Sequence, residues 1–134
     1  MKLAVITGGG RGIGAAISER LAADGYRILL TYNNDSQSAE SVISKLRQDS
    51  VDCVAVKVDC GRTDEVFILA DHPWMQDGVD ALVLNHGMYH RSPARELTMN
   101  DLQETMNVNF RGAVAVYTAL SEHLSPQASI VAVG

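Results

Sequence analysis

A strand-like apolar run, Leu3 to Thr7, stops at Gly8-Gly9-Gly10, and after Arg11-Gly12 a helix-like pattern begins at Ile13. Few folds accept that succession. Glycines at a strand-to-helix turn let the backbone reverse sharply and leave no β-carbon between the chain and an incoming anion. The helix start beyond supplies unpaired N–H groups and the positive end of its dipole. The loop therefore predicts a phosphate-binding strand–helix turn, the first unit of an α/β chain. No Gly-Lys-Ser or Gly-Lys-Thr closes it, so a nucleoside-triphosphate loop is unsupported.

The rest of the chain repeats the alternation. Apolar residues at helical spacing (Ile13, Ala16, Ile17, Leu21) predict a helix to Ala23, stopped by Gly25. Arg27 to Tyr32 reads as a second strand, and Asn33-Asn34-Asp35-Ser36 as the turn and cap of a helix reaching about Gln48, with Val42, Ile43 and Leu46 inward. Val51 to Val58 is the third strand. Thr63 to Ala70 is helical until Pro73 interrupts the pattern. Val79 to Leu84 is the fourth strand, ending at Asn85-His86-Gly87. A loop from Met88 to Arg95 then leads to Thr98, the expected cap of one long helix to about Leu124, with Asp101 at its third position. Ser129 to Val133 is the fifth strand. Near-continuous apolar strands separated by helices, with no hairpin signal, predict parallel pairing through right-handed crossovers. The expected architecture is a Rossmann-like, doubly wound α/β sheet of five strands, one domain over residues 1–134.

Charge and cysteine content narrow the function classes. Among 134 residues, Lys and Arg total 11 against 16 Asp and Glu, for a net charge of −5. An acidic chain without a basic tract is a poor match for a nucleic-acid backbone. The two cysteines, Cys53 and Cys60, have no nearby histidine at metal spacing and cannot build a disulfide framework, which predicts reduced thiols, a cytoplasmic setting and no metal site. No stretch is long enough to span a bilayer.

Four stretches in register carry a family resemblance. Thr7-Gly8-Gly9-Gly10-Arg11-Gly12-Ile13-Gly14 has the spacing Gly-x-x-x-Gly-x-Gly preceded by Thr. Asp59 closes the third strand, Asn85-His86-Gly87 follows the fourth, and Asn107-Val108-Asn109-Phe110-Arg111-Gly112 lies in the long helix. Together they resemble the short-chain dehydrogenase/reductase family. The resemblance implies dinucleotide binding by Thr7, Gly8, Gly10, Arg11, Gly12, Ile13, Gly14, Tyr32, Asn33, Asp59, Cys60, Asn85, His86 and Gly87. It makes Asn109 the catalytic-site asparagine. Leu84 and His86 depart from the family's Asn-Asn-Ala-Gly motif, His86 being far bulkier than Ala. Trp74, His90 and Met88 read as packing or loop residues rather than ligands; the alternative for His90 and Met88, whose loop follows the fourth strand's carboxyl end, is the substrate side of the pocket.

The choice of dinucleotide turns on the end of the second strand, where an acidic residue bonds the ribose hydroxyls of NAD. Here Tyr32, Asn33 and Asn34 stand there, with Asp35 later in the turn, so nothing repels a 2′-phosphate. Arg11 adds a cation suited to bidentate phosphate contact. NADP(H) is favoured, with NAD(H) still open.

The family's catalytic Ser and Tyr-x-x-x-Lys are missing. The residues four beyond Tyr26, Tyr32, Tyr89 and Tyr117 are Leu30, Ser36, Pro93 and Ser121, and the lysines are Lys2, Lys45 and Lys57. The resemblance covers this chain but only the N-terminal half of the family fold, ending just before the expected Ser. The expectation is the cofactor-binding portion of an oxidoreductase acting on a ketone or secondary alcohol, 3-oxoacyl-reductase-like in its Arg11 and Thr31-Tyr32-Asn33, and inactive as this chain alone. The alternative is a non-catalytic nucleotide-binding or assembly module. An incomplete sheet should expose Val114, Val116 and Leu120, so a second copy or a completing chain is expected to bind along the 98–124 helix.

Overall fold

A computed structural model describes residues 1–134. Its elements are β1 (Leu3–Ile6), α1 (Gly12–Ala23), β2 (Arg27–Tyr32), α2 (Ser36–Gln48), β3 (Cys53–Lys57), α3 (Thr63–Ala70), β4 (Val79–Leu84), α4 (Met99–Met106), α5 (Gly112–Leu120) and β5 (Leu124–Ala132). The strands form one parallel sheet in the order β3-β2-β1-β4-β5. Side chains alternate across it. Leu3, Val5, Leu29 and Leu82 join Val66, Leu69, Val116 and Leu120 on the α3/α5 face. Ala4, Ile6, Ile28 and Leu30 join Ala39, Val42, Ile43 and Leu46 on the α1/α2 face. Burying both faces explains why the central strands read as unbroken apolar runs. Each buried Leu, Ile or Val among them contributes about 1.5–3 kcal/mol.

The chain winds from β1 outward to β3 on one side, then crosses back to place β4 on the other side of β1. The order of winding reverses between β1 and β4, which opens a crevice at their carboxyl ends. The sheet topology thus fixes where a ligand can sit before any side chain is considered.

Two expectations are corrected. The helix from Thr98 runs unbroken to Leu120 but is not regular: α4 passes through a wide π turn, Asn107–Arg111, into α5, and a short turn at Ser121–His123 ends it before Leu124. Pro126 keeps the helix from resuming beyond that turn, because it pushes Ser125 toward extended backbone. β5 accordingly starts at Leu124, and its pairing with β4 jumps from Val79↔Leu124 to Ala81↔Ser129. The exposed face also differs. Val116 and Leu120 are fully buried against α3 and the sheet, while Val114 is half-exposed beside Met106, Phe110 and Tyr117. A helix in this layer turns one stripe inward and the opposite stripe out, and Val116 and Leu120 lie on the inward one.

Candidate functional site

The crevice is a cavity of about 640 Å³. Its walls come from the glycine loop (Gly8, Gly10, Arg11, Gly12, Ile13), the end of β2 (Thr31 to Asp35), the end of β3 (Val58, Asp59, Cys60), the loop after β4 (Asn85 to Met88) and Val108 of the π turn. Residues as far apart in sequence as Gly8 and Val108 meet here because every parallel strand ends at the same edge. Of the residues singled out from the sequence, Gly8, Gly10, Arg11, Gly12, Ile13, Tyr32, Asn33, Asp59, Cys60, Asn85, His86 and Gly87 line the cavity.

Thr7 and Gly14 lie behind the wall and hold it. The buried Thr7 hydroxyl accepts from the amides of Asn85 (3.0 Å) and His86 (3.2 Å), tying β1 to the loop after β4. At Gly14 a β-carbon would run into the Gly8 carbonyl and the Asn85 side-chain amide. Only glycine lets α1 approach β1 this closely. The Asn85 amide itself donates to the Gly8 carbonyl at 3.1 Å. Ser18 reaches back from α1, donating to the carbonyls of Gly9 and Gly14. Gly8 and Gly9 donate to the side chain and carbonyl of Thr31.

This bracing leaves other donors free. The first intrahelical bond of α1 runs from the Ala15 amide to the Arg11 carbonyl, so Gly12, Ile13 and Gly14 have no backbone acceptor. Such first-turn amides at the rim of a cavity are anion-binding groups. Arg11 stands at the N-cap with an exposed side chain that caps nothing.

Asp35 is a structural carboxylate. It accepts from the Ser38 amide (3.0 Å) and hydroxyl (2.7 Å), capping α2. The Ser38 bonds, backbone first, and then nearby Arg11 hold its carboxyl below the usual range. On the β3 side, Asp59 accepts from the Gly61 amide at 2.9 Å. Cys60 is a buried thiol whose pKa is pushed up to about 12, first by burial and then by the Asp59 carboxylate.

Asn109 sits outside the cavity wall, in the π turn. Its side-chain carbonyl accepts from the Met88 amide and its amide donates to the Met88 carbonyl, each at 2.8 Å. The asparagine thereby clips the first turn of the loop after β4 to the helix. His90 of that loop reaches α4, its Nε2 lying 3.2 Å from Glu104 and its Nδ1 3.8 Å from Asp101.

Sequence reasoning missed Thr31, Asn34, Val58 and Val108 as wall residues. Thr31 had a signal, a hydroxyl inside an otherwise apolar strand. Val108 had none, because its place depends on how the π turn packs. No group of His, Cys, Asp and Glu side chains is arranged to hold a metal ion. No helix is long and apolar enough to cross a membrane.

A five-stranded parallel sheet with a glycine loop at its switch point defines a Rossmann-like α/β protein. The family described as short chain dehydrogenase matches residues 2–134, and the chain belongs to that family. A short-chain dehydrogenase from Burkholderia cenocepacia in complex with NADP is 34% identical and superposes with a TM-score of 0.93, over 99% of this chain and 55% of that one. A blue fluorescent protein from a metagenomic library, in complex with NADPH, is 33% identical with a TM-score of 0.91 over the same shares. A hydroxynaphthalene reductase from Aspergillus fumigatus is 30% identical over 97% of this chain and 48% of its own length. The chain spans about half the length of the curated relatives it matches.

Proposed function

We propose that this chain is the NADP(H)-binding portion of an oxidoreductase that transfers hydride between the nicotinamide and a ketone or secondary alcohol. The observation that carries the reading is the pairing of free first-turn amides in α1 with the uncommitted Arg11 beside them. Phosphate oxygens fit such amides, and a 2′-phosphate fits a guanidinium. The end of β2 supports the phosphorylated form. Tyr32, Asn33 and Asn34 carry no charge, and Asp35, the nearest carboxylate, spends both oxygens on Ser38. The NADP and NADPH complexes of the similar proteins point the same way.

Asp59 and Cys60 bound the adenine side, and Asn85, His86 and Gly87 the ribose side toward the nicotinamide. When bound, the dinucleotide supplies or accepts the hydride; the residues of this chain bind and orient it. Asn109 belongs to the catalytic site as the group that fixes Met88, and Met88 and His90 face the substrate side. The chain carries no Tyr-x-x-x-Lys, so by itself it gives no carbonyl reduction. The exposed stripe of Met106, Phe110, Val114 and Tyr117 is where a second copy or completing chain would dock. Two buried free thiols suit a reducing, cytoplasmic compartment.

Calorimetric titration with NADPH and NADH tests the cofactor assignment. NADPH is expected to bind more tightly, and Arg11→Ala to weaken NADPH by at least about tenfold, ~1.4 kcal/mol, while leaving NADH nearly unchanged. Equal loss for both dinucleotides, or a preference for NADH, would contradict it.

A further inference from the structure

His86 stands where the family motif has a small residue, and its ring makes two specific bonds. Nδ1 lies 2.8 Å from the Thr7 hydroxyl and Nε2 lies 3.0 Å from the Val108 carbonyl. A carbonyl only accepts, so Nε2 carries the hydrogen. With Nε2 protonated, a neutral ring leaves Nδ1 bare, and the Thr7 hydroxyl, which accepts amide hydrogens from Asn85 and His86 itself, gives its own hydrogen to Nδ1 at 2.8 Å in preference to the Val83 carbonyl at 3.3 Å. Both nitrogens are satisfied only in the neutral Nε2–H form. A proton added at Nδ1 would face a hydroxyl with no lone pair left.

Space for the ring is built in. A β-carbon at Gly112 would strike the Cys60 carbonyl at 2.5 Å and sit 3.0 Å from Nε2, so the bare start of α5 admits both the end of β3 and the imidazole. The bond to Val108 also closes a circuit. The Val108 carbonyl belongs to the peptide that leads into Asn109, the Asn109 side chain grips both backbone groups of Met88, and Met88 is two residues beyond His86.

We infer that His86 is a positioning residue: its neutral imidazole straps the glycine-loop strand to the π turn and so fixes Asn109 and Met88 at the rim of the cleft. The functional consequence rests on the cofactor reading above, whereas the strap itself does not. Burial pushes the imidazole below its ordinary range, with the Val108 bond opposing it, which keeps the ring in the form that both bonds require. The charged and titratable groups on the elements around it are Arg11 of the glycine loop, Asp35 after β2, Asp59 and Cys60 after β3 and Arg111 in the π turn. None of them bonds the ring, whose nitrogens touch only Thr7 and Val108.

The test uses the ¹⁵N-labelled chain without dinucleotide. Imidazole nitrogen shifts are expected to show the Nε2–H tautomer at neutral pH. Hydrogen exchange of the Asn109 side-chain amide and the Met88 backbone amide is expected to rise at least about tenfold in His86→Ala, ~1.4 kcal/mol of lost protection. His86→Gln keeps an amide donor for the Val108 carbonyl and should recover most of that protection. In the wild type, protection should fall on acidification through the His86 titration, and in His86→Gln it should not. Amides within β1 and β4 serve as the reference for global stability. An Nδ1–H tautomer, or unchanged exchange at Asn109 and Met88 in His86→Ala, would overturn the inference. If His86→Ala does not fold, the tautomer and the acid response of wild type against His86→Gln still decide it. All these readouts precede any ligand, so failure to bind NADPH would overturn the cofactor reading alone.

Discussion

Gly14 and His86 show how single side chains set the shape of the cleft, one by being absent and the other by being large. Gly14→Ala drives a β-carbon into the Gly8 carbonyl, and neither backbone can yield without parting α1 from β1. Overpacking of this kind costs on the order of 1–3 kcal/mol. Urea unfolding should show that loss, with weakened NADPH binding beside it. His86 gives a pH dependence whose sign follows from linkage. Its folded pKa lies below the ordinary 6.5, so between the two values the unfolded chain binds the proton and the folded chain does not. Stability is therefore complete above about 6.5 and falls with acidification toward the folded value. His72, also lowered by burial and by Arg27, adds to the same trend. Asp35 and Asp101, held below 3.8 by their cap bonds, lose their contribution only at lower pH. Urea midpoints measured down from pH 7 should decline, and His86→Gln should decline less. Cys60 belongs to this scale too. With its pKa near 12, the native thiol should react with a disulfide reagent at pH 8 far more slowly than in the unfolded chain.

At the scale of elements, the π turn between α4 and α5 is the feature with most consequence. It places Asn109 against Met88 and Val108 against His86, and a regular helix of the same length would rotate both away. Asn109→Ala removes both bonds to Met88 and should raise proteolytic cleavage within residues 88–97 several-fold. Far-ultraviolet circular dichroism should stay unchanged, because α4 keeps its Thr98/Asp101 capping box. The elements differ in how far they could be read from sequence. β2, β4 and α2 appear with the bounds expected, because continuous apolar runs, Asp35 at the cap and the glycine stops are local signals. The π turn was not legible, since its residues are ordinary helix formers and the extra residue per turn is held by contacts to other elements. The start of β5 was not legible because Ser125, Pro126 and Gln127 interrupt the apolar pattern between Leu124 and Ala128; only the shifted pairing with β4 makes them strand. The cleft was legible where residues end strands, as with Tyr32, Asp59 and Asn85. It was illegible at Ser18 and Val108, whose roles depend on partners in other elements.

At the largest scale the sheet has a well-covered centre and two edge strands, β3 and β5, of which β5 is the more exposed. β1 pairs on both sides and its residues Leu3 to Ile6 are fully buried, whereas β5 pairs only with β4 and exposes Ile130 and Val131. Amide exchange should follow that gradient, slowest in β1 and faster by orders of magnitude along β5. The cleft lies at the slow end, between β1 and β4, so it can be preformed while the edge stays labile. The central claim is that this preformed crevice takes NADP(H). Titration of the ¹⁵N-labelled chain with NADPH, followed by backbone amide shifts, tests it most directly. The expected result is a saturable response concentrated at Gly8 to Gly14, Tyr32 to Asn34, Asp59, Cys60 and Asn85 to Met88. A silent titration at millimolar NADPH, or shifts confined to surfaces away from the carboxyl ends of β1 and β4, would contradict it.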